Sequence, residues 1–82
     1  MTRDGSDKTV NFYWRPGCPY CMKLEFSLKR KGIEFVKHNI WESEDAASIV
    51  RAAANGNETV PTVVVGDRAL VNPSVKQIAA LL

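Results

Sequence analysis

The chain has 82 residues, 45% of them hydrophobic, with 11 basic and 9 acidic side chains and a formal net charge of +2. That length supports one modest core, the charge is too small to imply a nucleic-acid partner, and no run approaches the ~20 apolar residues of a membrane span. Two cysteines allow at most one disulfide, and the polar start lacks the apolar stretch of a secretory signal, so a cytoplasmic location is expected.

Residues 1–8 read as a flexible N-terminal tail, because Asp4, Gly5, Ser6 and Asp7 carry no periodicity. Residues 9–82 form the single expected domain. Val10 to Trp14 is β-branched and aromatic, a strand candidate that Pro16 and Gly17 break. From Pro19 to Lys31 the pattern is helical, with Cys21, Leu24 and Leu28 on one face and Gly32 as a stop. Ile33 to Ile40 roughly alternates and reads as a second strand. Ser43 is placed to cap a helix whose first turn holds Glu44 and Asp45 and which ends at Asn55-Gly56.

Thr62 to Val65 is a continuous apolar run, as in a strand covered on both faces. Gly66-Asp67 reads as a hairpin turn into Ala69-Leu70-Val71. Pro73 is expected to open a last helix, with Val75, Ile78, Ala79, Leu81 and Leu82 available for packing. The order β-α-β-α-β-β-α predicts an α/β fold with a four-stranded mixed sheet and helices on both faces.

The chemistry concentrates at Cys18-Pro19-Tyr20-Cys21, across the start of the first helix. There the first cysteine sits beside unpaired backbone N–H groups that favour a thiolate, and the second lies one turn on, within disulfide reach. Pro19 suits a first-turn position because its missing N–H would have no partner there. Arg15 adds a positive charge nearby. Lowering a thiol pKa from ~8.5 to ~7 raises its attack rate only about threefold, since nucleophilicity falls as ionisation rises. The larger benefit is as a leaving group, which suits exchange catalysis. A zinc site usually needs four ligands, and beyond the two cysteines His38 is the one further candidate; no metal is expected. His38 reads as an ordinary, partly exposed histidine. Lys29, Arg30 and Lys31 read as a solvated helix end, with a docking patch for acidic partners as the alternative. Tyr20 is read as a substrate contact, Trp14 equally as groove wall or packing, and Trp41 is left open between core, rim and partner contact.

Arg15-Pro16-Gly17-Cys18-Pro19-Tyr20-Cys21, then Thr59-Val60-Pro61, then the Gly66 hairpin and last helix, together resemble a dithiol glutaredoxin over nearly all of Val10 to Leu82. The resemblance implies a thioredoxin fold, Cys18 as nucleophile and Cys21 as resolving thiol. Arg15 matches a position where many members carry a lysine that helps bind a low-molecular-weight thiol. Tyr20, Thr59, Val60 and Pro61 would line that thiol's site, with Val60 offering its backbone and Pro61 cis. Glutathione-binding members usually carry Gly-Gly, a small residue and Asp before the last helix, where this chain has Leu70-Val71-Asn72-Pro73-Ser74. Asn72-Pro73-Ser74 instead is similar to the stretch in mycoredoxins, actinobacterial relatives that use mycothiol. The implied co-substrate is thus mycothiol or glutathione, with no tightly bound cofactor. The implied partners are disulfide-containing proteins, with a small thiol or a flavoprotein reductase as electron source, and the chain is expected to act as a monomer. Two rival functions accompany this: a reductase-fed redoxin of the kind that supplies ribonucleotide reductase, and an iron–sulfur cluster carrier. Carriers in this family typically have CGFS, and Pro19-Tyr20 hinders that arrangement.

Overall fold

A computed structural model describes residues 9–82, so the tail expected at residues 1–8 lies outside the described part. Seven elements follow one another: β1 (Val10–Trp14), α1 (Pro19–Arg30), β2 (Val36–Asn39), α2 (Glu44–Ala53), β3 (Thr62–Val65), β4 (Arg68–Val71) and α3 (Val75–Ala79). The sheet order is β2-β1-β3-β4, with β1 parallel to β2 and antiparallel to β3, and β3 antiparallel to β4. This is the expected four-stranded mixed sheet with three helices, a thioredoxin-like fold.

Strand alternation divides the sheet between two cores. Val10 and Phe12 of β1 and Val63 and Val65 of β3 turn toward Leu24 and Leu28 of α1 and Ile78 of α3. Tyr13, from the other face of β1, packs with Ile40 and with Ala46, Ala47 and Val50 of α2. Val60 packs against both clusters. The helices therefore clamp the sheet, and the segment before β3 is wedged between the two cores.

Local chemistry explains the element ends. Ser43 caps α2 by accepting from the Ala46 N–H at 3.1 Å. Removing that acceptor in Ser43→Ala is expected to cost about 1 kcal/mol, read as a fall of about 5 °C in Tm. α2 ends where Asn55 and Gly56 take positive φ. Gly66 does the same (φ 62) in the two-residue turn between Val65 and Arg68, which pair across it.

Three expectations are corrected. The second strand begins at Val36, not Ile33. Ile33 instead donates its N–H to the Leu28 carbonyl (3.0 Å), which closes α1 and turns the chain. Ile33 and Phe35 pack on the first core, and Phe35 meets Phe12 edge-on at 5.6 Å. Pro73 does not open the last helix; Ser74 is its N-cap and Pro73 precedes that cap, buried. Of the apolar residues expected to pack from the last helix, Ile78 is fully buried, Val75 and Leu81 partly so, and Ala79 and Leu82 face solvent. A helix of one and a half turns has room for only one such contact at its centre.

Candidate active site

β1 delivers Trp14 and Arg15 to the turn that carries Cys18. Gly17 takes φ +75, a conformation that costs a β-carbon-bearing residue, although nothing lies within 4 Å of where one would sit. Cys18 then adopts an extended backbone and becomes the N-cap of α1, with Pro19 in its first turn. The cap's usual acceptor oxygen is replaced by sulfur: the Cys21 N–H donates to Cys18 Sγ at 3.1 Å. An orphan donor of the helix thus points at the first cysteine's sulfur. That thiol also faces the Val60 carbonyl oxygen at 3.9 Å.

Both thiols are free, and both cysteines are buried, 3% exposed at Cys18 and 2% at Cys21. Exposure does not tell them apart; hydrogen bonding does, since the helix N–H is given to the Cys18 sulfur. Burial pushes the Cys21 thiol up to about 12, and a hydrogen bond with Cys18 adds to the rise. The Arg15 backbone N–H and guanidinium charge oppose this without reversing it. Cys21 therefore stays protonated near neutral pH, one turn inside the helix.

Sheet register brings the second segment in. Tyr13 pairs with Thr62 across β1 and β3, so residues 59–61 lie opposite the end of β1. Val60–Pro61 is a cis peptide, as the resemblance implied. Thr62 Oγ1 donates to the Thr59 carbonyl at 2.7 Å. Arg51 pairs with Glu44 and, at 2.7 Å, with Glu58, which ties the approach to Thr59 back onto α2. Thr62 also pairs with Val71, which sets Asn72 beside Pro61; the Asn72 N–H donates to the Pro61 carbonyl at 2.7 Å.

Tyr20, Asn72, Pro73 and Ser74 meet around a groove of about 260 Å³. Lys23, Leu24 and Ser27 complete its walls. Sequence reasoning had missed these three, although they follow Tyr20 at the i+3, i+4 and i+7 spacing of one helical face. Arg15, Thr59, Val60 and Pro61 are not among the groove walls. Val60 joins the site through Cys18, and Pro61 through Asn72. Arg15 lies over the Trp41 ring, 5.7 Å from its centroid, and donates to the Pro16 carbonyl at 3.2 Å; its charge is felt by Cys21. Ser74 is engaged in a capping box, accepting from the Gln77 N–H and donating its own N–H to Gln77 Oε1 at 2.8 Å.

The remaining candidates have structural partners. His38 stacks on Tyr13 at 4.7 Å, and its Nε2 meets Asn11 Oδ1 at 3.0 Å. Trp14 packs on the first core under Lys37, whose Nζ is 4.4 Å from the ring centroid. Trp41 is 64% exposed, which excludes the core. Among the described residues no three His, Cys, Asp or Glu side chains cluster as a metal site, and no helix is long and apolar enough to cross a membrane.

The glutaredoxin family model matches residues 10–70. Two proteins of Synechocystis sp. named probable glutaredoxin are similar. The first is 31% identical over 67 residues, covering 82% of this chain and 62% of the relative. The second is 34% identical over 59 residues, covering 72% and 67%. The chain thus spans less than two thirds of the first relative's length. Among solved structures, a glutaredoxin from Archaeoglobus fulgidus superposes with a TM-score of 0.72 at 26% identity, covering 90% of this chain and 85% of that one.

Proposed function

As the chain belongs to the glutaredoxin family, we propose that it reduces disulfides of proteins, or mixed disulfides between a protein and a small thiol, through Cys18. The observation that carries this is the asymmetry of the pair: the Cys18 sulfur receives the helix N–H, while Cys21 is held protonated by burial. In the first step Cys18, as thiolate, attacks one sulfur of the substrate disulfide. The substrate S–S bond breaks, a Cys18 mixed disulfide forms, and the departing thiolate takes a proton from solvent. Cys21 then attacks Cys18 Sγ, releasing the bound thiol and leaving a Cys18–Cys21 disulfide; two electrons pass to the substrate. Alternatively a second small thiol attacks the small-thiol sulfur and restores Cys18 directly. No tightly bound cofactor takes part.

The groove of Tyr20, Asn72, Pro73 and Ser74 is the proposed seat of the small thiol, with a mycothiol-like sugar thiol preferred over glutathione. Gripping the carboxylate at glutathione's γ-glutamyl end calls for free backbone N–H groups in this turn. The Asn72 N–H is bonded to Pro61, Pro73 has none, and the Ser74 N–H is bonded to Gln77. What the turn still offers is the Asn72 amide and the Ser74 hydroxyl hydrogen, which suit sugar hydroxyls. Two missing charge-assisted contacts, each worth roughly 1.5–3 kcal/mol, make the expected preference for the mycothiol mixed disulfide at least about 100-fold in kcat/KM. The measurement uses the two mixed disulfides on one model peptide. Equal handling of both removes the sugar-thiol reading. Turnover with thioredoxin reductase and neither thiol favours the reductase-fed redoxin.

A further inference from the structure

The groove that begins at Tyr20, two residues after Cys18, has a neighbour further along α1. Ser27 also borders a second depression of about 370 Å³, walled by Phe26, Arg30, Lys31 and Val75. The two share Ser27 and follow one another along α1, from the active-site end toward the helix C-terminus, a succession referred to as the channel. Tyr20, Lys23, Ser27, Arg30 and Lys31 fall at i, i+3, i+7, i+10 and i+11, a single helical face. Its charge has one sign. Lys23, Arg30 and Lys31 border the channel and no carboxylate does. Glu25, in the same helix, is held instead by Lys29 at 3.3 Å and Lys37 at 3.2 Å. Among the described residues, no ion pair involves the three channel cations. The apolar component is equally open: Phe26 is 61% exposed, with Arg30 lying 5.7 Å from its ring centroid.

We propose that this channel seats an extended acidic segment of the protein whose disulfide is reduced, running from the cysteine bound to Cys18 toward Arg30 and Lys31. The proposal rests on the reductase reading above and adds the substrate class. Protein segment and small thiol use the part nearest Cys18 in turn. The segment occupies it while its cysteine is joined to Cys18, and leaves when Cys21 resolves that bond; the small thiol enters during re-reduction. Helix rise sets the spacing. Lys23 lies about 7.5 Å along the axis from Cys18, and Arg30 about 18 Å. At ~3.3 Å per residue of extended chain, these distances correspond to acidic side chains about two and about five or six positions from the attacked cysteine.

The test is a single turnover of pre-reduced protein with peptides closed by one intramolecular disulfide. In this reaction the protein dithiol becomes a disulfide and the peptide disulfide a dithiol, so no other reductant is needed. One peptide carries Glu at those positions on the N-terminal flank, another on the C-terminal flank, and two controls carry Lys there. One acidic peptide is expected to react about 10-fold faster than its lysine control at low salt, as two or three exposed ion pairs allow. That advantage should shrink to within about twofold near 1 M salt. Arg30→Glu combined with Lys31→Glu is expected to invert the order. If all four peptides react at equal rates, the channel proposal fails while the reductase reading stands. If none reacts, the channel proposal falls together with the reduction of protein disulfides on which it rests.

Discussion

Cys18→Ser is expected to abolish disulfide exchange with every substrate, by at least about a thousandfold, while Cys21→Ser divides the activities. A serine hydroxyl at the cap keeps the hydrogen bond that Cys21 N now gives to sulfur, so the fold is preserved. What is lost is the nucleophile, and loss of a nucleophile is not compensated by its neighbours. Cys21 enters only in the second step. With a small-thiol mixed disulfide, a second small thiol can restore Cys18, so Cys21→Ser should stay within about threefold of the parent. With a protein disulfide the partner remains joined to Cys18, and turnover should fall at least about 100-fold. The same variant should then accumulate a Cys18–protein adduct visible by mass spectrometry without reducing agent. Equal losses on both substrates would mean an obligate dithiol cycle and would favour the reductase-fed redoxin.

The parts of this site that were legible in the sequence are those set by near neighbours. Pro19 after Cys18, Ser43 before Glu44 and Gly66-Asp67 between apolar runs each carry their own local chemistry, and each sits where expected. Strand β1 was readable because both its faces are covered, which selects an aromatic and β-branched run. β2 was overextended for the converse reason. It is an edge strand with Val36 and Lys37 exposed, so its pattern does not distinguish pairing from the packed turn at Ile33 to Phe35. Pro73 and Ser74 both suit a helix start; the Gln77 side chain, completing a capping box with Ser74, decides between them. The groove depended on distance. Tyr20 meets Asn72 because Val71 pairs with Thr62 and Thr62 with Tyr13, two register choices that no single segment contains. The blocked N–H groups at residues 72–74 were equally out of reach, since one of their partners is Pro61.

The dithiol protein should lose stability as pH rises above about 9, in a way the disulfide form does not share. In the unfolded chain Cys21 titrates near 8.5, while in the fold burial and the Cys18 hydrogen bond raise it to about 12. Between those values the folded state holds a proton that the unfolded state has released. Stability therefore falls with pH there, with a slope approaching about 1.4 kcal/mol per pH unit. Below about pH 8 both states carry the proton, and the contribution is constant. Tyr13, raised by its own burial, loses stability in the same direction at high pH, but it does so in both redox forms. The difference between the unfolding free energies of the reduced and oxidised proteins removes it. From pH 9 to pH 10 that difference should drop by about 1.2 kcal/mol, measured by urea unfolding of each form. A flat difference through pH 10 would place the Cys21 thiol in contact with water and remove the asymmetry on which the roles of the two cysteines rest. Resolution follows the same logic. Once Cys18 is joined to substrate its thiol is gone, and part of what holds the proton on Cys21 goes with it. The second cysteine thus becomes a better nucleophile only after the first has reacted.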